Sequence, residues 1–182
     1  MLFAFLDRDG VINRFPGKGK YVTKPSQLKI LPGALEAITE LTRAGYELAV
    51  VSNQGCVSRG LLTKKSLERM TRQMLQKIRL AGGRIRRVYY CVHQTKDRCD
   101  CKKPKTLLLK KALRGRRLDR SKIYFIGDSE EDVQAAKNFG CRSVLVLSGR
   151  LKKKDLTGLA VKPDAVKKDL REAARWLLRK RS

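Results

Sequence analysis

The chain has 182 residues, 42% of them hydrophobic. That is enough for one well-buried core and short for two domains, and it excludes a disordered chain or a disulfide miniprotein. Against 17 Asp and Glu stand 43 Lys and Arg, a formal charge of +26 with the single His neutral. Such an excess favours anionic partners, whether phosphorylated small molecules, nucleic acid or anionic lipid, and also fits a solvated basic surface.

Read from the N-terminus, LFAFL (2–6) has the apolar continuity of a strand buried on both faces. The run breaks at Asp7, too soon for a signal peptide, and no stretch nears the ~20 apolar residues that span a bilayer. A cytoplasmic protein without a membrane partner is expected. Residues 13–32, rich in Gly, Lys and Pro, form a long loop and a candidate for substrate contacts. GALEAITELTRAG (33–45) spaces Leu35, Ile38 and Leu41 as a helix that Gly45 stops. YELAVVS (46–52) is the second strand. The segment 62–83 is a helix with Thr63 as N-cap and a stripe of Leu67, Met70, Met74 and Ile78. Strands follow at 87–92, 122–127 and 143–148, and helices at 104–115, 129–140 and 163–180. Strand and helix alternate throughout, which predicts one α/β domain over 1–182, a doubly wound, mostly parallel sheet with helices on both faces and right-handed crossovers.

Three strand ends carry polar residues: FLDRDG after the first, VVSNQG after the second and FIGDSEED after the fourth. Singly, each reads as an ordinary turn. In a parallel sheet they share one rim, so Asp7, Asp9, Ser52, Asn53, Asp128 and Asp132 converge where open α/β sheets place ligands. Clustered carboxylates repel one another unless a cation joins them. A bound Mg²⁺ would do so while neutralising phosphoryl oxygens, leaving one Asp as nucleophile and a second as general acid and base.

A second constellation is CVHQTKDRCDC (91–101), with spacing C-x-H-x5-C-x-C. In a reducing compartment, Cys91, His93, Cys99 and Cys101 suit a closed, tetrahedral, structural Zn²⁺ better than disulfides. Cys56 and Cys141 fall outside the cluster and read as packing residues.

DRDGVIN, SNQGCVSRG, CKKPK and GDSEED, in this order and over nearly the whole chain, resemble the four motifs of the haloacid dehalogenase (HAD) phosphatases. Within that superfamily the chain is most similar to the heptose 1,7-bisphosphate phosphatases, with the histidinol-phosphate phosphatases close by. Both carry the C-x-H…C-x-C loop leading into Lys-Pro. The resemblance implies a HAD-like fold and a Mg²⁺-dependent phosphomonoesterase. No segment inserted after the first or second strand is large enough to form a mobile cap domain, so an open site is expected. The resemblance also implies Asp7 as nucleophile, Asp9 as general acid and base, and Ser52 and Lys103 as phosphoryl stabilisers. Mg²⁺ would be held by Asp7, the Asp9 backbone carbonyl and Asp128. Asn53, Gln54, Gly55, Arg59 and Lys102 would meet the substrate. Two positions depart from the heptose pattern: Lys102 stands where Arg is usual, and Ser129 where Lys is frequent. Exchanging a bidentate guanidinium for a point charge bears on substrate identity.

The reading is therefore a monomeric sugar-bisphosphate phosphatase with catalytic Mg²⁺ and structural Zn²⁺. Two alternatives keep the fold and change the substrate to histidinol phosphate or a DNA 3′-phosphate. A third is a non-catalytic basic module, and any nucleic-acid contact is expected to be non-specific.

Overall fold

The structure, a computed structural model, describes residues 2–115 and 119–180. Residues 116–118 of the basic run 101–122, and the last two residues of the chain, lie outside it. Six strands, β1 (Leu2–Leu6), β2 (Tyr46–Asn53), β3 (Arg87–Cys91), β4 (Ile123–Gly127), β5 (Arg142–Val146) and β6 (Ala165–Lys167), form one sheet of order β3-β2-β1-β4-β5-β6. Every pairing is parallel. The order reverses beside β1, so the switch point lies where β1 is flanked by β2 and β4, at the strand ends that carry the motifs.

Strand alternation divides the core in two. Ala4, Leu6, Leu48, Val50 and Ile126 face α1 (Ala34–Arg43), α2 (Lys64–Leu80) and α5 (Leu170–Arg179). Phe3, Phe5, Ala49, Val51 and Phe125 face α3 (Leu107–Ala112) and α4 (Glu130–Phe139). Both faces are covered, as parallel sheets require. Among the described residues no helix is long and apolar enough to cross a membrane.

The expected Thr63 cap is present, its Oγ1 accepting the Ser66 N–H at 3.1 Å. The expected helix over 163–180 divides. Residues 165–167 pair with β5 in the register Val144↔Ala165, Leu145↔Val166 and Val146↔Lys167, and the helix begins only at Leu170. Asp169 causes the break, its side chain accepting the Glu172 N–H at 2.9 Å as an N-cap. The helix over 104–115 shortens to Leu107–Ala112.

Loop 13–32 folds back on the body. Val22 and Leu28 are buried, and Gln27 Oε1 accepts the Thr23 and Lys24 N–H groups at 2.8 and 3.1 Å.

Candidate active site

Asp7 directly follows β1, and its N–H donates to Ile126 O at 2.9 Å, which prolongs the β1–β4 pairing and sets its carboxylate at the rim. Lys103, only 3% exposed, points at the same place. Its Nζ lies 3.1 Å from Asp7 Oδ1 and 2.5 Å from Asp132 Oδ1, and donates to Val51 O at 3.1 Å. Burial would push the Lys103 pKa down, but the Asp132 and Asp7 carboxylates outweigh it and hold the ammonium charged.

Asp132 sits in the first turn of α4, and its Oδ2 accepts from Asp128 N (3.2 Å), Ser129 N (3.1 Å) and Ser129 Oγ (2.6 Å). With Oδ1 on Lys103, Asp132 is fully engaged and serves to hold the lysine and the turn. Asp128 Oδ2 accepts the Arg150 N–H at 2.6 Å. Gly10 and Gly149 close over Asp128. A Cβ on either would collide with its carboxylate, and Gly10 also has φ +85.

Asp7, Asp128 and Asp132 each offer an oxygen within 4.8 Å of the others. Burial lifts the Asp7 pKa to about 6 despite the nearby Lys103, and burial together with the Asp7 and Asp132 charges lifts that of Asp128 well above the usual carboxylate range. Asp7 Oδ1 is also buried with no hydrogen-bond donor. Lys103 Nζ stands near it as an ion pair without hydrogen-bond alignment. Crowded, desolvated carboxylates with an unbonded oxygen fit a hard divalent cation, and since Asp132 is engaged elsewhere, Asp7 and Asp128 are the side chains free to hold it.

Asp9 lines the same cleft and accepts from Arg8, Asn13 and Gln54. Ser52 is buried beside Asp7, its Oγ accepting from Gln54 Nε2 at 3.1 Å. Gln54, expected at the substrate, lies beneath the cleft with its amide on Asp9 and Ser52. Asn53 lines the cleft, but its amide is closed on the Lys103 backbone. Gly55, Arg59 and Lys102 line an adjoining hollow with His93, Gln94 and Thr95. The Arg59 guanidinium lies 5.8 Å from the Tyr21 ring, and Lys102 Nζ donates to Thr95 Oγ1 at 3.0 Å.

The cleft also takes Phe15, Lys20 and Tyr21 from the long loop, Glu131 from α4, and Arg150. Arg150 follows the fifth strand's end on the same rim, and that position is the signal that would have found it. A larger hollow of about 470 Å³, lined by Thr42, Tyr46, Glu47, Arg84 and Arg86, lies at the opposite end of β2 and gathers no convergent acid set.

The sulfurs of Cys91, Cys99 and Cys101 lie 3.2–3.6 Å apart, and His93 Nδ1 is 3.2 Å from Cys101 Sγ. All five cysteines are free. Disulfide sulfurs would be ~2 Å apart, whereas a tetrahedral ion with Zn–S of ~2.3 Å separates its sulfurs by ~3.8 Å. The four ligand atoms lie within 4.8 Å of one another, so the cluster fits a closed soft-metal site. Cys91 ends β3 and Cys101 lies two residues before Lys103, which ties the cluster to the cleft.

Residues 100–173, which include Lys103, Asp128 and Asp132, match the model of the HAD-hydrolase-like family. A D-glycero-beta-D-manno-heptose-1,7-bisphosphate 7-phosphatase of Neisseria meningitidis is 35% identical over 153 residues, 84% of this chain and 81% of that protein. One of Bordetella bronchiseptica is 32% identical over 178 residues, 98% of each. A crystal structure of D,D-heptose 1,7-bisphosphate phosphatase from B. bronchiseptica, complexed with magnesium and phosphate, superposes with a TM-score of 0.91 at 31% identity and covers 99% of each chain. The chain belongs to the heptose 1,7-bisphosphate phosphatase family of the HAD-like hydrolases.

Proposed function

We propose that this protein removes one phosphate, the 7-phosphate, from D-glycero-β-D-manno-heptose 1,7-bisphosphate through a phosphoaspartate on Asp7. The observation that carries the reading is Asp7 itself, a buried carboxylate with an unbonded oxygen beside the Lys103 ammonium. Asp7 attacks phosphorus, the P–O bond to the sugar breaks, and Asp9 gives its proton to the leaving oxygen. Asp9 then takes a proton from water as that water attacks the phosphoaspartate, and phosphate leaves with Asp7 and Asp9 restored. Lys103 and Ser52 stabilise the phosphoryl oxygens.

Mg²⁺ held by Asp7, Asp128 and the Asp9 backbone carbonyl would supply charge neutralisation at the phosphoryl group. Zn²⁺ held by Cys91, His93, Cys99 and Cys101 would fix the loop that delivers Lys102 and Lys103. Arg59, Lys102 and the hollow they line would receive the remainder of the sugar phosphate.

A panel of phosphate esters tests the substrate: the heptose bisphosphate, hexose bisphosphates, histidinol phosphate and a 3′-phosphorylated oligonucleotide. The heptose ester should lead in kcat/KM by at least tenfold, about 1.4 kcal/mol of transition-state binding. A lead for histidinol phosphate or the oligonucleotide overturns the substrate assignment.

A further inference from the structure

Arg8 carries a charge, yet it is only 1% exposed and ranks among the largest fully buried side chains of the protein. Its Nε and Nη2 donate to Asp9 Oδ1 at 3.2 and 3.0 Å, and Nη2 also reaches Oδ2 at 2.8 Å. Asn13 Nδ2 adds a donor to Oδ1 at 2.7 Å and Gln54 Nε2 one to Oδ2 at 2.8 Å. Arg8, Asn13 and Gln54 are all buried, whereas Asp9 lines the cleft. The carboxylate is therefore gripped from the protein side by three residues and presented to the cleft.

Behind the guanidinium stands Tyr90, with its ring centroid 5.7 Å from the Arg8 Cζ and its hydroxyl 3.0 Å from Thr71 Oγ1 of α2. The fork thus has Asp9 in front of it and the Tyr90 ring behind it. The backbone adds to the constraint: the Arg8 carbonyl accepts the N–H of Ile12 at 2.9 Å and of Asn13 at 3.0 Å, closing the turn that brings the Asn13 amide onto Asp9.

We propose that Arg8 is a positioning residue for proton transfer: its two-point grip fixes the plane of the Asp9 carboxylate, so that Asp9 meets the oxygen of the leaving alcohol and, later, the attacking water. This rests on the reading of Asp9 as general acid and base. A lysine offers one point charge in place of a planar fork, so it retains the counter-charge and loses the orientation. Misorientation of a catalytic group by an ångström costs on the order of 10²-fold in rate.

The test separates proton transfer from the rest of the reaction by the leaving group. An alkyl alcohol needs the proton from Asp9, whereas p-nitrophenolate leaves without one. Arg8→Lys is expected to lower turnover of the sugar bisphosphate ~10²-fold with KM nearly unchanged. First-turnover release of p-nitrophenolate should stay within a few-fold of the parent. In Arg8→Ala, added guanidinium should restore part of the sugar-phosphate turnover and leave the p-nitrophenolate burst unaffected. Tyr90→Leu removes the ring behind the fork, together with the hydroxyl's bond to Thr71, and leaves the Arg8–Asp9 contacts themselves in place. It should show the same selectivity at smaller size, which keeps the test open if Arg8 variants fold poorly. Equal loss on both substrates, or no loss on the alkyl ester, overturns the proposal. Asp9→Asn is the reference: selectivity there without selectivity at Arg8 overturns the role of Arg8 alone, and its absence in both overturns the acid–base reading beneath it.

Discussion

Asn53 closes both ends of its amide on the backbone of Lys103: Oδ1 accepts the Lys103 N–H at 3.0 Å, and Nδ2 donates to the Lys103 carbonyl at 3.2 Å. A side chain at the end of β2 thus pairs with the Lys103 backbone as a further strand residue would, and the lysine's ammonium is aimed from a fixed backbone. Asn53→Ala should leave a buried N–H and C=O without partners, at a cost of roughly 1–3 kcal/mol in stability. It should also lower kcat by about an order of magnitude or more through misplacement of Lys103. Thermal melts beside steady-state kinetics measure both, and a variant with parental kcat contradicts the clamp.

The cluster of Cys91, His93, Cys99 and Cys101 approaches the same lysine from the other side, and a zinc ion held there would fix the loop that carries it. Protein purified without chelator should hold about one zinc per chain. Cys99→Ser or Cys101→Ser should lose zinc and turnover together, whereas Lys103→Ala should lose turnover and keep zinc. Cys99 and Cys101 are half-buried, and chelation should expose them to iodoacetamide. Cys141 should stay unlabelled in the folded protein, because burial pushes its thiol up to about 12. Full activity in zinc-free protein would separate the cluster from the site.

The pKa of Asp7 defines a pH dependence with a known sign. Burial raises it from 3.8 to about 6 in the metal-free protein, so the folded state binds the proton more tightly than the unfolded chain. The stability this group contributes is present below pH ~4 and is lost as pH rises through ~6, by about 3 kcal/mol in all. Asp7→Asn cannot show that loss. In Mg²⁺-free buffer, the stability of the parent relative to Asp7→Asn should therefore fall between pH 4 and 6.5, and added Mg²⁺ should recover it at the upper end. A flat difference in chemical denaturation would contradict the assignment.

The charge of +26 predicts encounter rather than chemistry. Binding to an unrelated duplex DNA should vanish steeply as salt rises from 50 to 200 mM on the scale of multiple phosphate contacts. Hydrolysis of the bisphosphate should change only a few-fold, because its contacts lie in a partly desolvated cleft. Salt-resistant binding to a defined oligonucleotide would contradict this.

The fold was legible because its strands are apolar on both faces and its helices carry long stripes, signals that survive without tertiary context. The three-residue β6 was not. Its residues 165–167 fall inside a helical pattern that Asp169 interrupts, and they become a strand only because β5 offers an edge. In the site, Asp7, Asp9, Ser52 and Asp128 announced themselves as polar residues at or near strand ends, whereas Lys103 was legible only through the resemblance of CKKPK to a family motif. The partnerships did not. Nothing in DRDG says that Arg8 is buried, since arginine by type belongs at the surface. Nothing in SNQ says that Asn53 and Gln54 turn inward to brace Lys103, Asp9 and Ser52, because those contacts join residues as many as 50 positions apart.

Rapid quenching of single-turnover hydrolysis, followed by borohydride reduction and peptide mass analysis, tests the central claim most directly. A phosphoaspartate is an acyl phosphate, which borohydride reduces to homoserine, whereas a free carboxylate is untouched. Homoserine should appear at position 7, only with substrate and Mg²⁺ present, and it should accumulate further in Asp9→Asn when an activated ester is used. Unmodified Asp7 throughout turnover, or modification at Asp9 or Asp128 instead, would contradict the mechanism.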